Sequence, residues 1–138
     1  METTPLIAEI LANTATIALI GASANQVRPS YGVMHYLQEQ GFRVIPVNPG
    51  LAEQELLNEK VYASLLDIPD KIDLVDVFRR AEECPALARQ AAAIGAKTLW
   101  LQLGVISQQA LDIASENQMH YIQDRCLKTE HTQHRRAS

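Results

Sequence analysis

Apolar positions along this chain keep two rhythms. Short unbroken runs closed by turn residues appear at Thr16–Gly21 (TIALIG), Arg43–Val47 (RVIPV), Asp73–Phe78 (DLVDVF), Thr98–Leu103 (TLWLQL) and His120–Gln123. Runs of this length, rich in Val, Ile and Leu, predict strands buried on both faces. Pro46 lacks the N–H of a central ladder and is expected at its strand's end. Between the runs, apolar residues recur at helical spacing. Leu6, Ile7, Ile10 and Leu11 follow a Thr4-Pro5 start and predict a helix ending near Asn13. Val33, Met34 and Leu37 follow Pro29-Ser30 and stop at Gly41. Leu87, Ala91 and Ile94 follow Pro85 and stop at Gly95. Ala110, Leu111 and Ala114 follow a Ser107 cap in a helix through Glu116. Residues 48–59 read as a connection with one helical turn at 51–57, residues 60–63 as a minor strand, and residues 64–71 as a loop broken by Pro69. The polar tail at 132–138 is expected to fray. Strands alternating with helices imply right-handed βαβ units. The expectation is an α/β fold: one Rossmann-like, doubly wound domain over residues 1–138, with a mainly parallel sheet of five or six strands.

Composition narrows the function classes. The chain has 138 residues and a formal net charge of -4, which gives no broad electrostatic footprint for nucleic acid. No run approaches about 20 apolar residues, so no membrane span is expected. The N-terminus is not basic and leads into no long apolar run, which argues against a signal peptide. Two unclustered cysteines, Cys84 and Cys126, point to a reducing compartment. The cytoplasm is the expected location.

In a doubly wound sheet, ligands sit outside the carboxyl ends of the strands, at the switch in strand order. Candidate chemistry therefore lies at Gly21-Ala22-Ser23, Asn48-Pro49-Gly50, Phe78-Arg79-Arg80, Gln102-Leu103-Gly104 and Asp124-Arg125-Cys126. Gly21 permits a tight turn, and Ser23 can donate a hydroxyl bond. The helix starting at Pro29 or Ser30 turns its free N–H groups toward that loop, and Arg28 adds a bidentate cation. Together they favour a phosphate site over a glycine that merely ends a strand. The loop GASANQ keeps only the first glycine of G-x-G-x-x-G. The position after the second strand is Asn48 where a nicotinamide site carries an acid. No phosphate-binding G-x-x-x-x-G-K-[ST] loop occurs.

The remaining candidates each carry a plainer alternative. Arg79 or Arg80 reaches a phosphate, or ends a strand in solvent. Gln102 bonds a ligand, or satisfies nearby backbone. Cys126 is a nucleophile if Arg125 or a helix N-terminus lowers its pKa. His131 and His134 lie in the polar tail, and no metal site is expected. Cys84 reads as a helix-start packing residue. Asp73, Asp76, Glu82 and Glu83 read as solvated or sheet-end charges. No carboxylate pair suits acid–base catalysis.

Six segments in order, IALIGAS, RPSYGVMHYL, VIPVNPG, DLVDVFRR, TLWLQLGV and DRCLKTEH, resemble the small bacterial and archaeal CoA-binding proteins. Their fold is like the N-terminal CoA-binding domain of the succinyl-CoA synthetase alpha subunit. The resemblance runs from about Ile17 to His131. It implies coenzyme A as the bound ligand, held through its adenosine diphosphate part. On that reading Gly21, Ala22 and Ser23 contact the phosphates beside Arg28 and Ser30. Asn48 and Pro49 line the adenosine side, and Phe78 and Arg79 lie against the ligand. Leu101, Gln102, Leu103 and Gly104 supply strand-end contacts, and Cys126 borders the pocket floor. The synthetase's phosphohistidine belongs to another domain, so no ligase activity is implied. The expected role is a carrier, sensor or regulatory protein for CoA or acyl-CoA, able to form a homo-oligomer. Two alternatives stand beside it: an enzyme acting on an acyl-CoA thioester through Cys126, and a regulator responding to NAD or another nucleotide.

Overall fold

The structure is a computed structural model and describes residues 3–137. Helix α1 (Thr3–Ala12) leads into β1 (Thr16–Ile20), α2 (Pro29–Glu39) and β2 (Arg43–Val47). A two-stranded hairpin follows, β3 (Glu55–Leu56) and β4 (Glu59–Lys60). Then come β5 (Leu74–Val77), α3 (Cys84–Ala93), β6 (Thr98–Leu101), α4 (Gln108–Glu116), β7 (His120–Ile122) and α5 (Leu127–Ala137). The main sheet has the order β2-β1-β5-β6-β7 and every pairing in it is parallel. This is the α/β, doubly wound, Rossmann-like architecture that the alternation of strands and helices predicts.

Period-two alternation divides the core into two layers. Ile17, Leu19, Val44, Leu74, Trp100 and Ile122 face one way and pack with residues of α1, α2 and α5. Ala18, Ile20, Ile45, Val75, Val77, Leu99 and Leu101 face the other way, against Ala88 and Ala91 of α3 and Ala110 and Ala114 of α4. The small alanines let α3 and α4 approach the sheet closely. On the opposite face the Trp100 side chain is fully buried.

Three segments differ from expectation. Pro46 lies inside β2, paired with Leu19, rather than at the strand's end. It is tolerated because β2 is an edge strand and Pro46 points its backbone outward, where its carbonyl accepts the Tyr62 N–H at 3.0 Å. The helical turn expected at 51–57 is a 3-10 turn at Pro49–Leu51 followed by the β3–β4 hairpin. Leu57 and Asn58 both have positive φ, +50° and +67°, the conformation of a tight two-residue hairpin turn. At the C-terminus, residues 132–137 of the tail expected to fray belong to α5, Leu127–Ala137, and residue 138 lies outside the described residues. Its polar surface meets neighbours: the Tyr36 hydroxyl lies 2.7 Å from His131 Nδ1, and the Phe42 ring meets the His131 ring edge-on at 5.3 Å. No helix among the described residues is long and apolar enough to cross a membrane.

Candidate functional site

The chain leaves β1 toward α2 on one face of the sheet and leaves β5 toward α3 on the other. A crevice opens between these departures, at the carboxyl edge. Gly21 forms its floor, with φ at +90°. A Cβ there would lie 2.4 Å from the Phe78 carbonyl oxygen, so glycine is required by close approach as well as by conformation. The loops after β1, β2 and β5 are tied together around it. Gly21 N–H donates to Val47 O at 3.0 Å, and Phe78 N–H donates to Ile20 O at 2.8 Å. The Asn48 amide donates to Ala22 O at 2.7 Å, while its oxygen accepts the Gly50 N–H at 2.8 Å. Both ends of Asn48 are thus committed to shaping the backbone.

A depression of about 350 Å³ lies above this floor, walled by Ala22, Ser23, Arg28, Ser30, Asn48 and Arg79 among others, with no acidic side chain. Ser23 Oγ accepts the Asn25 N–H at 3.0 Å and keeps its own proton to donate. Helix α2 starts at Pro29, which has no N–H, and no side chain caps its N-terminus; the Tyr31 N–H donates to Arg28 O at 3.1 Å, which leaves the Ser30 N–H open to an anion. Arg28 forms no ion pair among the described residues. Arg79 donates to Glu83 at 2.9 Å, and Arg80 lies 3.5 Å from the same carboxylate. Arg28 is therefore the uncommitted cation of the crevice.

Two further depressions continue along the carboxyl edge. One of about 700 Å³ shares Phe78 and Arg79 with the first and extends to Gln102, Leu103 and Gly104. The next, about 350 Å³, shares Leu103 and reaches Cys126 and Thr129. On the α3 side, a narrow slot of about 150 Å³ brings Pro49 together with Gly21, Val47 and Leu65. Of the sequence-predicted site residues, Leu101 lines none of these: its side chain is fully buried in the α3–α4 layer. Gln102 is nearly buried, and its oxygen accepts the Leu127 N–H at 3.1 Å, which makes it first a backbone clamp.

The far end of this trough holds chemistry that local sequence did not reveal. Cys126 sits immediately before α5. Burial raises its thiol pKa. The N–H and hydroxyl of Thr129, the Gln102 amide and the Lys128 N–H outweigh that, and the thiol lies below its ordinary value. Thr129 was not among the expected site residues, because the polar composition of 127–137 hid the helix start that positions it. Asp76, expected as a solvated or sheet-end charge, is fully buried in the middle of β5, and neither carboxylate oxygen has a partner. Burial, then the neighbouring Cys126, pushes its pKa well above the ordinary carboxylate range. Its place inside an apolar run that predicts a strand buried on both faces was the available signal. Cys84 begins α3 and is fully buried; burial, then Glu83 and Glu82, push its thiol up to about 11. Among the described residues, no group of three His, Cys, Asp or Glu side chains is placed to hold a metal ion.

Against known proteins, residues 15–132 match the CoA binding domain family. YneT, an uncharacterized protein of Bacillus subtilis, is 36% identical over 125 residues, covering 91% of each chain. The alpha subunit of ADP-forming acetate–CoA ligase I of Pyrococcus furiosus is 34% identical over 95 residues, which is 66% of this chain but 21% of that subunit. A solved structure of a hypothetical protein from Pyrococcus horikoshii OT3 superposes with a TM-score of 0.90 at 40% identity, covering 96% of this chain and 92% of that one.

Proposed function

We propose, from the premise that this chain belongs to the CoA-binding domain family, that it binds coenzyme A or an acyl-CoA along the carboxyl edge of its sheet. Its role on this reading is that of a carrier, sensor or regulatory module that does not turn the ligand over. The observation that carries the reading is the crevice floor. An uncapped helix N-terminus, the close-packed Gly21 and the unpaired Arg28 surround a depression without acidic side chains. That is a site for a polyanion, and the diphosphate of CoA fits its chemistry. The adenosine extends toward Pro49 and the slot beside Val47 and Leu65. The pantetheine arm runs the other way, past Phe78 toward Leu103. The NAD alternative loses support at Asn48, whose amide is spent on backbone where a ribose acceptor would stand.

Parallel calorimetric titrations with CoA, NAD, NADP and ATP test this. CoA is expected to bind, and at a hundredfold excess over Kd to stabilise the fold by about 2.7 kcal/mol. Arg28→Ala is expected to weaken CoA about 10- to 100-fold, the loss of one charge-assisted contact. Binding of another nucleotide in preference to CoA would overturn the proposal.

A further inference from the structure

We infer that Gln90 of α3 reads the base of the bound nucleotide and makes the site selective for a 6-aminopurine. The inference rests on the CoA reading of the crevice and adds to it the residue that sets base specificity.

The slot on the α3 side is built for a base. It shares Gly21 and Arg79 with the acid-free depression at the crevice floor, so one ligand can occupy both. Its volume is about 150 Å³, below the roughly 300 Å³ at which pockets for whole ligands begin, and suits a single planar ring system. Ile20, Val47, Pro49, Leu65 and Leu87 give it apolar surface. The cation in its lining, Arg79, is bound to Glu83, which lines the slot as well. A phosphate finds no uncommitted charge there, whereas a neutral aromatic ring finds apolar walls.

The position of Gln90 follows from the helix. Glu83, Leu87 and Gln90 succeed one another at spacings of four and three residues, so they share one face, and all three line the slot. Helix α3 follows β5 and runs away from the carboxyl edge. Gln90 therefore lies about 10 Å deeper along the helix than Glu83, beyond the apolar Leu87. It is half-buried, and its side-chain amide has no hydrogen-bond partner among the described residues. The side chains of Asn48 and Gln102, by contrast, are committed to backbone. Ser64, also in the lining, accepts the Leu66 N–H at 3.2 Å and keeps its own proton to donate. The polar side chains left for a ligand in the slot are thus one carboxamide and one hydroxyl.

A carboxamide donates and accepts side by side, which matches the edge of adenine that carries its amino group. Gln90 Oε1 accepts from N6–H, and Nε2–H donates to N7. Hypoxanthine, with oxygen in place of the amino group, presents two acceptors on that edge. Turning the amide over satisfies O6 but sets Oε1 against N7, so one bond is lost whichever way it points. The expected discrimination is about 10- to 100-fold in Kd.

The test is calorimetric titration of the full chain with CoA and with CoA whose adenine has been deaminated to hypoxanthine, repeated on Gln90→Leu. The parent is expected to bind CoA about 10- to 100-fold more tightly than the deaminated form. Leucine keeps the apolar stem and the helix but removes the amide. Gln90→Leu is expected to bind both ligands alike, with the parent's affinity for the deaminated form. Equal affinity of the parent for both ligands would overturn the inference and leave the CoA reading standing; this comparison needs no variant. Discrimination that survives in Gln90→Leu would remove the role from Gln90. Failure of the parent to bind CoA at all would overturn the CoA reading and the inference with it.

Discussion

Asp76→Asn isolates one buried ionisation. Asp76 is 0% exposed, and its register partners Leu19 and Trp100 are equally buried. Its carboxyl is protonated in the folded state well beyond the ordinary range, because burial penalises the charged form and Cys126 opposes it. In the unfolded chain it ionises near pH 3.9. The folded value is the higher one, so the folded state binds the extra proton between the two values. Stability is then fully retained below the unfolded pKa and falls as pH rises toward the folded one. The slope is about 1.4 kcal/mol per pH unit. Asparagine keeps the shape and an unpartnered polar group but titrates nothing. Urea denaturation of both proteins at pH 5 and pH 6 should show the variant gaining about 1.4 kcal/mol on the parent over that unit, about 3–5 °C in melting temperature. The constant cost of burying an amide cancels in the comparison. A stability difference that is the same at both pH values would refute a neutral Asp76 and require a cation facing it.

Other expectations come from different parts of the molecule. Gly21→Ala places a Cβ 2.4 Å from Phe78 O at a φ of +90°, so a loss of about 3 kcal/mol or more is expected in urea denaturation, with no thermal response to CoA; an unchanged midpoint would contradict the packing described. Asp73 accepts the N–H groups of Ala15 at 2.9 Å and Thr16 at 3.0 Å. Burial alone would raise its pKa, but these bonds, with Lys97, bring it below the usual value. Its contribution is therefore present above about pH 4 and lost as pH falls through the folded value. Asp73→Ala should cost about 2 kcal/mol at pH 7 and progressively less below pH 4, and a cost independent of pH would contradict the assignment. Iodoacetamide at pH 8 should label Cys126 at least ten times faster than Cys84, whose thiol is raised to about 11. Equal labelling in the folded protein would remove the distinction.

The sheet and the crevice were largely legible because their signals are local. Short apolar runs ending at Gly21, Val47, Phe78 and Leu103 mark strand ends, and strand ends mark the candidate site. The parts that escaped depend on neighbours distant in sequence. Leu57-Asn58 is not a usual two-residue turn sequence; Arg43 pins the hairpin beyond it by contacting Glu59 at 3.2 Å and Asp70 as well. Helix α5 is polar, and its packing residues make sense only once Tyr36 and Phe42 are brought against it. Asp76 was misread because charge suggests solvent, whereas its place within a strand buried on both faces put it inside. Leu101 carries the same lesson in reverse: it is near the site in sequence but faces the opposite layer.

The proline in β2 has a meaning for how copies of this chain can associate. Along the outer margin of that strand, Pro46 offers no N–H, its carbonyl is taken by Tyr62, and Asn48 N–H is taken by Tyr62 O at 2.9 Å. An incoming strand finds almost nothing to pair with there, which guards the longer rim of the sheet against aggregation. Any assembly that extends the sheet must do so across the three residues of β7, and one built beside β2 must rely on side chains instead.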